Sequence, residues 1–377
     1  MADKDKDLLY LYNDIQMNSA LPVIVFLSLI MLTGFIGNCT VCFVYLTRFK
    51  PSPLICFILI TSLFDLFICV IDIPLAIVGM RYMYNSGEFP VLCKAFHMFH
   101  DFSSITSMFM LLAIAVERYK KICQPFENRM TVPKARVVIV VSCLLALLLS
   151  TPATIIYGAH SFPINGTNDT IINATQCNLA DLHVYHIYII KQVNLVFWIS
   201  LDIGMFLTLF VMYCLIWRRL YDHADRMRKK TLPESQINVP HGSGEHASIS
   251  DTRIDEDDNM TTTSSVSSSI NRPRTTMNQS PKKNTHDRRG TLTKVTLTMF
   301  YVSLASLVAY LPIVCLMFMN VFAPSAMTAF RESATWLYYI VWQSYYIQCA
   351  LNPLIYGFGN TAFRYEMKLA FKKITQN

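Results

Sequence analysis

The 377-residue chain is 53% hydrophobic and only 15% charged, against about 25% charged in an ordinary soluble domain, which excludes a conventional soluble globular protein. Its formal net charge of +7 is no sign of nucleic-acid binding, because the cations gather at the ends of apolar runs, where they report membrane topology. Apolar runs of the ~20 residues needed to cross a bilayer recur seven times, and in lipid such runs must be helical, since no solvent there satisfies an unpaired peptide group.

Residues 1–19 are polar, with Lys4 and Lys6 balanced by Asp3, Asp5 and Asp7. No small-residue cleavage site follows a short apolar core, so the first span is expected to act as its own insertion signal. Span one (20–47) contains Gly37-Asn38 and is followed by Arg48 and Lys50. Span two (54–80) carries Asp65 within SLFDLF and, nearer its outer end, Asp72. A carboxylate at mid-membrane is costly unless it is paired. A protonated Asp65 in a hydrogen-bonded network with Asn38 meets that demand.

Span three (92–122) begins beside Cys93 and places His97 and His100 at i and i+3, next to Asp101. Ser107 follows, and the run closes with Glu117-Arg118-Tyr119, then Lys120 and Lys121. A surface helix scatters its charges along one face. Here an acid and a base sit together at one terminus, at the boundary between two solvents. Arg118 paired with Glu117 in one state and released in another is a bistable element of the kind a switch requires. Span four (135–159) leads into a loop with three glycosylation sequons at Asn165, Asn168 and Asn173. Asn38-Cys-Thr40 also matches but lies within a span and is expected to stay bare. Of eleven cysteines, only Cys93 and Cys177 lie on the oxidising side, which makes them the expected disulfide. His183 and His186 repeat the i, i+3 spacing of the first histidine pair. Such pairs suit zinc binding or titration near neutral pH, or are ordinary polar residues at a membrane rim.

Span five (185–217) contains Lys191, Asn194, Asp202 and Tyr213. Residues 221–292 are Ser/Thr-rich and poor in apolar residues, so they are expected to be disordered. Span six (294–322) carries Tyr310 and Pro312, and span seven (334–357) runs from Trp336, Tyr338, Tyr339, Trp342, Tyr345 and Tyr346 through Gln348 to Asn352-Pro353-Leu-Ile-Tyr356. Beyond it, Phe363, Met367 and Phe371 share a helical face, with Arg364, Lys368, Lys372 and Lys373 placed to meet lipid phosphates. Lys and Arg concentrate after spans one, three, five and seven. By the positive-inside rule the N-terminus is therefore expected outside and the C-terminus inside. The fold class is an all-α membrane protein, a seven-helix bundle with a C-terminal amphipathic surface helix. The chain divides into an extracellular segment 1–19, spans one to five within 20–220, the third intracellular loop 221–292, spans six and seven within 293–357, and the surface helix and tail 358–377.

Seven spans with this orientation, ERY closing the third, NPLIY closing the seventh, Asp65, Tyr213, Pro312, and Cys93 placed 25 residues before Arg118 together resemble the rhodopsin-like class of G-protein-coupled receptors. The resemblance implies that Glu117 holds Arg118 at rest, and that Arg118 swings out to help dock a heterotrimeric G protein, supported by Tyr119, Tyr213, Asn352, Pro353 and Tyr356. It implies no cofactor, but a sodium ion as allosteric modulator at Asp65, Ser107, Gln348 and Asn352. It implies arrestin and receptor kinases as further partners beside the lipid bilayer. Several positions depart from the family pattern: Ser142 or Cys143 stands for a Trp, Met205 for a Pro, Tyr310 for a Trp, Ser306 for a Phe, and Leu292, Thr293 and Lys294 offer no acid at the inner end of span six.

The resemblance also sorts ligands. Tyr346 stands where a retinal pigment needs its Lys, and His100 where an amine receptor needs a carboxylate. The expected pocket is Asp72, His100, Asp101, Asp202, Tyr310, Trp342 and Tyr346, whose acidic and aromatic side chains suit a basic, amidated or aromatic small peptide. A non-peptide small molecule, or a proton or zinc sensor, is the alternative ligand reading. A seven-span transporter or channel is the alternative class, but it calls for inverted repeats, and none is visible. No nucleophile–base pair or zinc-protease motif suggests an enzyme, and no metal site is assigned.

Overall fold

The computed structural model describes residues 2–82, 90–126, 129–165, 171–179, 184–231 and 285–375. Asn168, His183, residues 232–284 and the side chains of Asn165, His186 and Lys191 lie outside that description.

Six stretches of helix are long and apolar enough to cross a membrane. They lie in α1 (Ala2–Arg48), α2 (Pro53–Phe67) continued by α3 (Ile73–Arg81), α4 (Pro90–Cys123), α5 (Val132–Ser150) continued by α6 (Ala153–Ile156), α7 (Val184–Thr231) and α8 (Thr285–Phe322). The seventh crossing follows a short α9 (Pro324–Ser333) and is assembled from pieces: α10 (Thr335–Trp342), a 3-10 turn at Ser344–Tyr346, and α11 (Ile347–Gly359). A final α12 (Thr361–Thr375) turns away at Asn360, whose Oδ1 accepts from the N–H groups of Ala362 and Phe363, both at 3.1 Å.

Span one packs between spans two and seven, span three against two, four and five, span five against six, and span six against seven. Span three is the most enclosed and span four the least. On α5 the small residues Ala135, Ala146 and Ser150 face inward, while Val137, Val140, Val141, Leu144 and Leu148 face outward. Large aliphatic side chains outside and small ones at the helix contacts are what a lipid solvent produces, because hydrocarbon gives helices no hydrophobic reason to bury them.

Prolines explain the irregularities, since each removes a helical N–H donor. Pro74 follows a π turn at Ile68–Asp72 that interrupts span two. Pro152 cannot donate to Leu148, whose carbonyl instead accepts from the Thr151 hydroxyl at 2.7 Å. Pro353 leaves the Cys349 carbonyl without its helical donor, and Asn38 Nδ2 supplies one from span one at 2.9 Å. The same contact is tight enough to require Gly37, where an added Cβ would lie 2.5 Å from Pro353 Cγ. Near Pro312, which lies inside α8, Ser344 Oγ donates to the Ala309 carbonyl at 2.9 Å, pinning the break in span seven to span six.

The structure adds detail to the sequence reading at two places and departs from it at two others. The polar segment 1–19 is helical from Ala2 and continuous with span one, and Asp14 reaches Arg81 at 2.9 Å. Span four does not run to residue 159: its main helix stops at Ser150, ahead of Pro152, and residues from Tyr157 are extended. The loop beyond is an antiparallel hairpin of β1 (Tyr157–Asn165) and β2 (Ile171–Leu179), in which Ile172 and Ala174 are buried and Ile171 and Asn173 exposed. Finally, α7 runs on to Thr231 and α8 starts at Thr285, so both margins of the segment 221–292 are helical. Once a long helix is nucleated, its Arg- and Lys-rich continuation adds turns at little cost.

Candidate functional site

The outer end of the bundle holds a cavity of about 230 Å³ between spans two, three and seven, roofed by β2. Leu75, Met80, Phe96, His97, Gln176, Tyr339, Trp342 and Gln343 are among its lining residues. The Cys93–Cys177 disulfide, across a sequence separation of 84, ties the hairpin to the top of span three and forms part of the wall. Of the expected pocket residues only Trp342 lines this cavity. Tyr339, named among the span-seven aromatics, also lines it; Gln343, Phe96 and Gln176 were missed, because no pattern in the sequence says how far each helix is rotated about its own axis.

None of the expected acids lines this cavity. Asp72 Oδ2 lies 2.9 Å from His100 Nδ1 and accepts from the Tyr346 hydroxyl at 3.1 Å, so spans two, three and seven meet in one buried polar contact. Tyr345 lies against the His100 ring, 4.7 Å between centroids. Asp101, one residue on, lies within electrostatic range of Asp72 and His100 on one hand and of Tyr157 on the other. Tyr157 is hydrogen-bonded to Asn194 of span five; its burial and the nearby Asp101 push its phenol up from the ordinary range. His97 stacks on the Tyr157 ring at 3.6 Å between centroids. Tyr310 packs with Met108 and Met205, is hydrogen-bonded to Ser104 and lies within electrostatic range of Asp202.

His97 also lies near Cys93 and Cys177, but both sulfurs are consumed by the disulfide and offer no thiolate to a metal. His100 is engaged by Asp72 instead of pairing with His97 around an ion. Asn173 is exposed on β2, as a glycan acceptor requires.

At mid-membrane, Asp65 Oδ2 accepts from Asn352 Nδ2 at 2.9 Å. Asp65 Oδ1, Ser107 Oγ, Asn352 Oδ1 and Gln348 Nε2 are buried without a hydrogen-bond partner among the described residues. Three of these four atoms are oxygens of the kind a hard cation takes. Gln348 presents its amide nitrogen here; with the amide turned over, its oxygen would join the other three.

At the inner end, Arg118 Nε donates to Glu117 Oε2, and both side chains are buried. Tyr119 is half-buried on the flank. Tyr356 is wholly buried in the inner core with Tyr45, Tyr213 and Phe363. Tyr213 is held by Ser303 of span six, whose Oγ donates to its hydroxyl at 3.1 Å. Ser303 escaped the sequence reading because a lone Ser in an apolar run carries no signal of its own.

The sequence pattern of the family described as "7 transmembrane receptor (rhodopsin family)" matches residues 37–356. Neuropeptide FF receptor 1 of Homo sapiens is 33% identical over 151 residues, which is 38% of this chain and 35% of that receptor. The cholecystokinin receptor of Xenopus laevis is 26% identical over 366 residues, 90% of this chain and 74% of that protein. The substance-K receptor of Bos taurus is 28% identical over 204 residues, 50% of this chain and 48% of that protein. Against the neuropeptide FF receptors the chain spans only about a third of the relatives' length.

Proposed function

The chain belongs to the rhodopsin family of seven-transmembrane receptors, and from that premise we propose that it binds a small extracellular peptide and activates a heterotrimeric G protein. It is a multi-pass membrane protein; we place it in the plasma membrane, N-terminus outside, as a receptor without a catalytic step of its own. The observation that carries the coupling is the buried Glu117–Arg118 pair at the inner end of span three. A buried arginine is retained at such a boundary when its release has a use. The peptide reading is supported by relatives named for neuropeptide FF, cholecystokinin and substance K, and by an outer cavity bordered by Phe96, Tyr339 and Trp342.

Sodium acts in this reading as a negative modulator at Asp65. The unpaired oxygens of Asp65, Ser107 and Asn352 support it. By linkage, an ion that binds the resting packing better weakens agonist binding by the same factor. Arrestin and receptor kinases meet the inner face and tail, and Arg364, Lys368, Lys372 and Lys373 hold α12 against lipid phosphates. Nucleotide exchange on a purified G protein, driven by the reconstituted chain, tests the coupling. Arg118→Ala is expected to abolish exchange while surface expression and ligand binding persist. Undiminished exchange by that variant would remove the basis of the coupling assignment.

A further inference from the structure

We propose that Asp202 is the anion that receives a cationic group of the ligand, an ammonium or guanidinium, and that Asp72 is not available for that task. The inference rests on the peptide-receptor reading and specifies its ligand chemistry.

Asp202 belongs to the bundle-facing stripe of α7. Leu195, Ile199, Asp202, Met205, Leu209, Tyr213 and Ile216 recur every three or four residues, and all are buried. Every other member of that stripe is apolar or, at Tyr213, hydrogen-bonded. Asp202 is 3% exposed, and its Oδ1 has no hydrogen-bond partner among the described residues. The described ion pairs are Arg81–Asp14, His100–Asp72 and Arg118–Glu117, and none involves Asp202. A carboxyl group buried without a partner is unfavourable, whether ionised and uncompensated or neutral and short of hydrogen bonds. Packing alone would favour an aliphatic side chain at this position, as at Ile199 one turn above.

Asp72 differs in kind. It already has an imidazole at 2.9 Å and a phenol at 3.1 Å, both donated from within the protein. Asp65 is engaged by Asn352. Of the two outer acids that are fully buried, Asp72 and Asp202, only Asp202 has neither a counter-charge nor a hydrogen bond among the described residues, while Asp101 is partly exposed and within electrostatic range of His100.

Asp202 does not itself line the outer cavity and is linked to it through Trp342 and Tyr310. Trp342 lines the outer cavity and at the same time packs against the cluster of Met108, Met205, Tyr310 and Ile313, of which Met205 follows Asp202 by three residues on α7. Tyr310 lies within electrostatic range of Asp202, and its ring neighbours Phe206 and Tyr345 at 6.3 and 6.2 Å. A ligand cation that displaces Trp342 inward would meet aromatic faces, which attract it through their quadrupoles, and then a carboxyl group without a counter-charge, which the cation would hold ionised. A neutral or anionic ligand gains nothing from that carboxylate.

The test uses the purified full chain and pools of amidated tetrapeptides. Each pool fixes one position as Arg, Lys, citrulline or Gln, and stabilisation against thermal unfolding is read over a concentration series. Pools fixing Arg or Lys at one position are expected to stabilise the unmutated protein at least about thirtyfold more potently than their citrulline and Gln counterparts, as expected when one partner of a buried charge pair is removed. Asp202→Asn should erase that preference, Asp202→Glu should keep it, and Asp72→Asn should keep it even if overall potency falls. Stabilisation by all four pools alike, or a preference that survives both Asp202→Asn and Asp202→Ser, overturns the assignment of Asp202 and leaves the peptide reading standing. Should no pool, cationic or neutral, stabilise the unmutated protein, the peptide reading falls and this inference with it.

Discussion

Ser303→Ala is expected to raise the basal activity of the receptor. Span six has no acid at its inner end, where Leu292, Thr293 and Lys294 stand, so Arg118 has no carboxylate there to hold the helix closed. The buried polar contact between spans five and six in that half is the bond from Ser303 Oγ to the Tyr213 hydroxyl at 3.1 Å. Both side chains are buried, 6% and 7% exposed, so water is a poor substitute partner. Alanine keeps the helix and removes only the hydroxyl. The Tyr213 hydroxyl is then left unsatisfied in the resting packing, at a cost of about 1–3 kcal/mol. If the active packing moves Tyr213 toward Arg118, already within its electrostatic range, that cost falls on the resting state alone. The resting-to-active equilibrium then shifts about 5- to 150-fold, since 1.4 kcal/mol is a factor of ten. Basal nucleotide exchange by a reconstituted G protein without ligand is the assay, at matched receptor amounts. A tenfold rise is expected. Exchange by Ser303→Ala within twofold of the unmutated protein would refute the reasoning. Tyr213→Phe removes the same bond together with the hydroxyl that would support Arg118, so it should raise basal exchange less, and the double variant should match Tyr213→Phe alone.

Gly37→Ala puts a methyl 2.5 Å from the rigid Pro353 ring and should destabilise the bundle by about 1–3 kcal/mol, read as a lower unfolding temperature in detergent. Gly79→Ala meets nothing within 4 Å and should leave that temperature unchanged. Cys177→Ser opens a loop spanning 84 residues, which corresponds to about 4–5 kcal/mol in the chain-entropy description; thermal unfolding and peptide stabilisation should both weaken markedly, and mass mapping of the unmutated protein should find Cys93 and Cys177 in one non-reduced peptide pair. Asp65→Asn should make agonist affinity equal in sodium and in a large organic cation at the same ionic strength, whereas the unmutated receptor binds agonist more weakly in sodium. Equal affinities in the unmutated receptor would leave Asp65 as a packed network residue only.

Lipid makes some features legible in one dimension. A peptide group in hydrocarbon has no partner outside its own helix, so each crossing must be a long apolar run, and seven such runs are visible without any coordinates. Lys and Arg at alternate ends give the expected orientation, since positively charged loops stay on the cytoplasmic side. The Glu117-Arg118-Tyr119 terminus and the pairing of Cys93 with Cys177 could be read too, because each depends on local solvent or on a scarcity of candidates. Hidden from that reading were the contacts between spans. Whether Asp72 faces a ligand or the His100 ring depends on the rotation of three helices about their axes, and the side chains that set those rotations are scattered over spans two, three and seven. The hairpin over the cavity, the split of span seven at Gln343 and the donation by Asn38 to the carbonyl that Pro353 frees are likewise settled by partners far apart in the chain. A hydrophobic period defines which face of a helix turns inward. Only the packed bundle decides which buried polar group finds a partner and which, like Asp202, is left without one, because hydrogen bonds and ion pairs form over about 3 Å and tertiary packing alone brings distant residues that close.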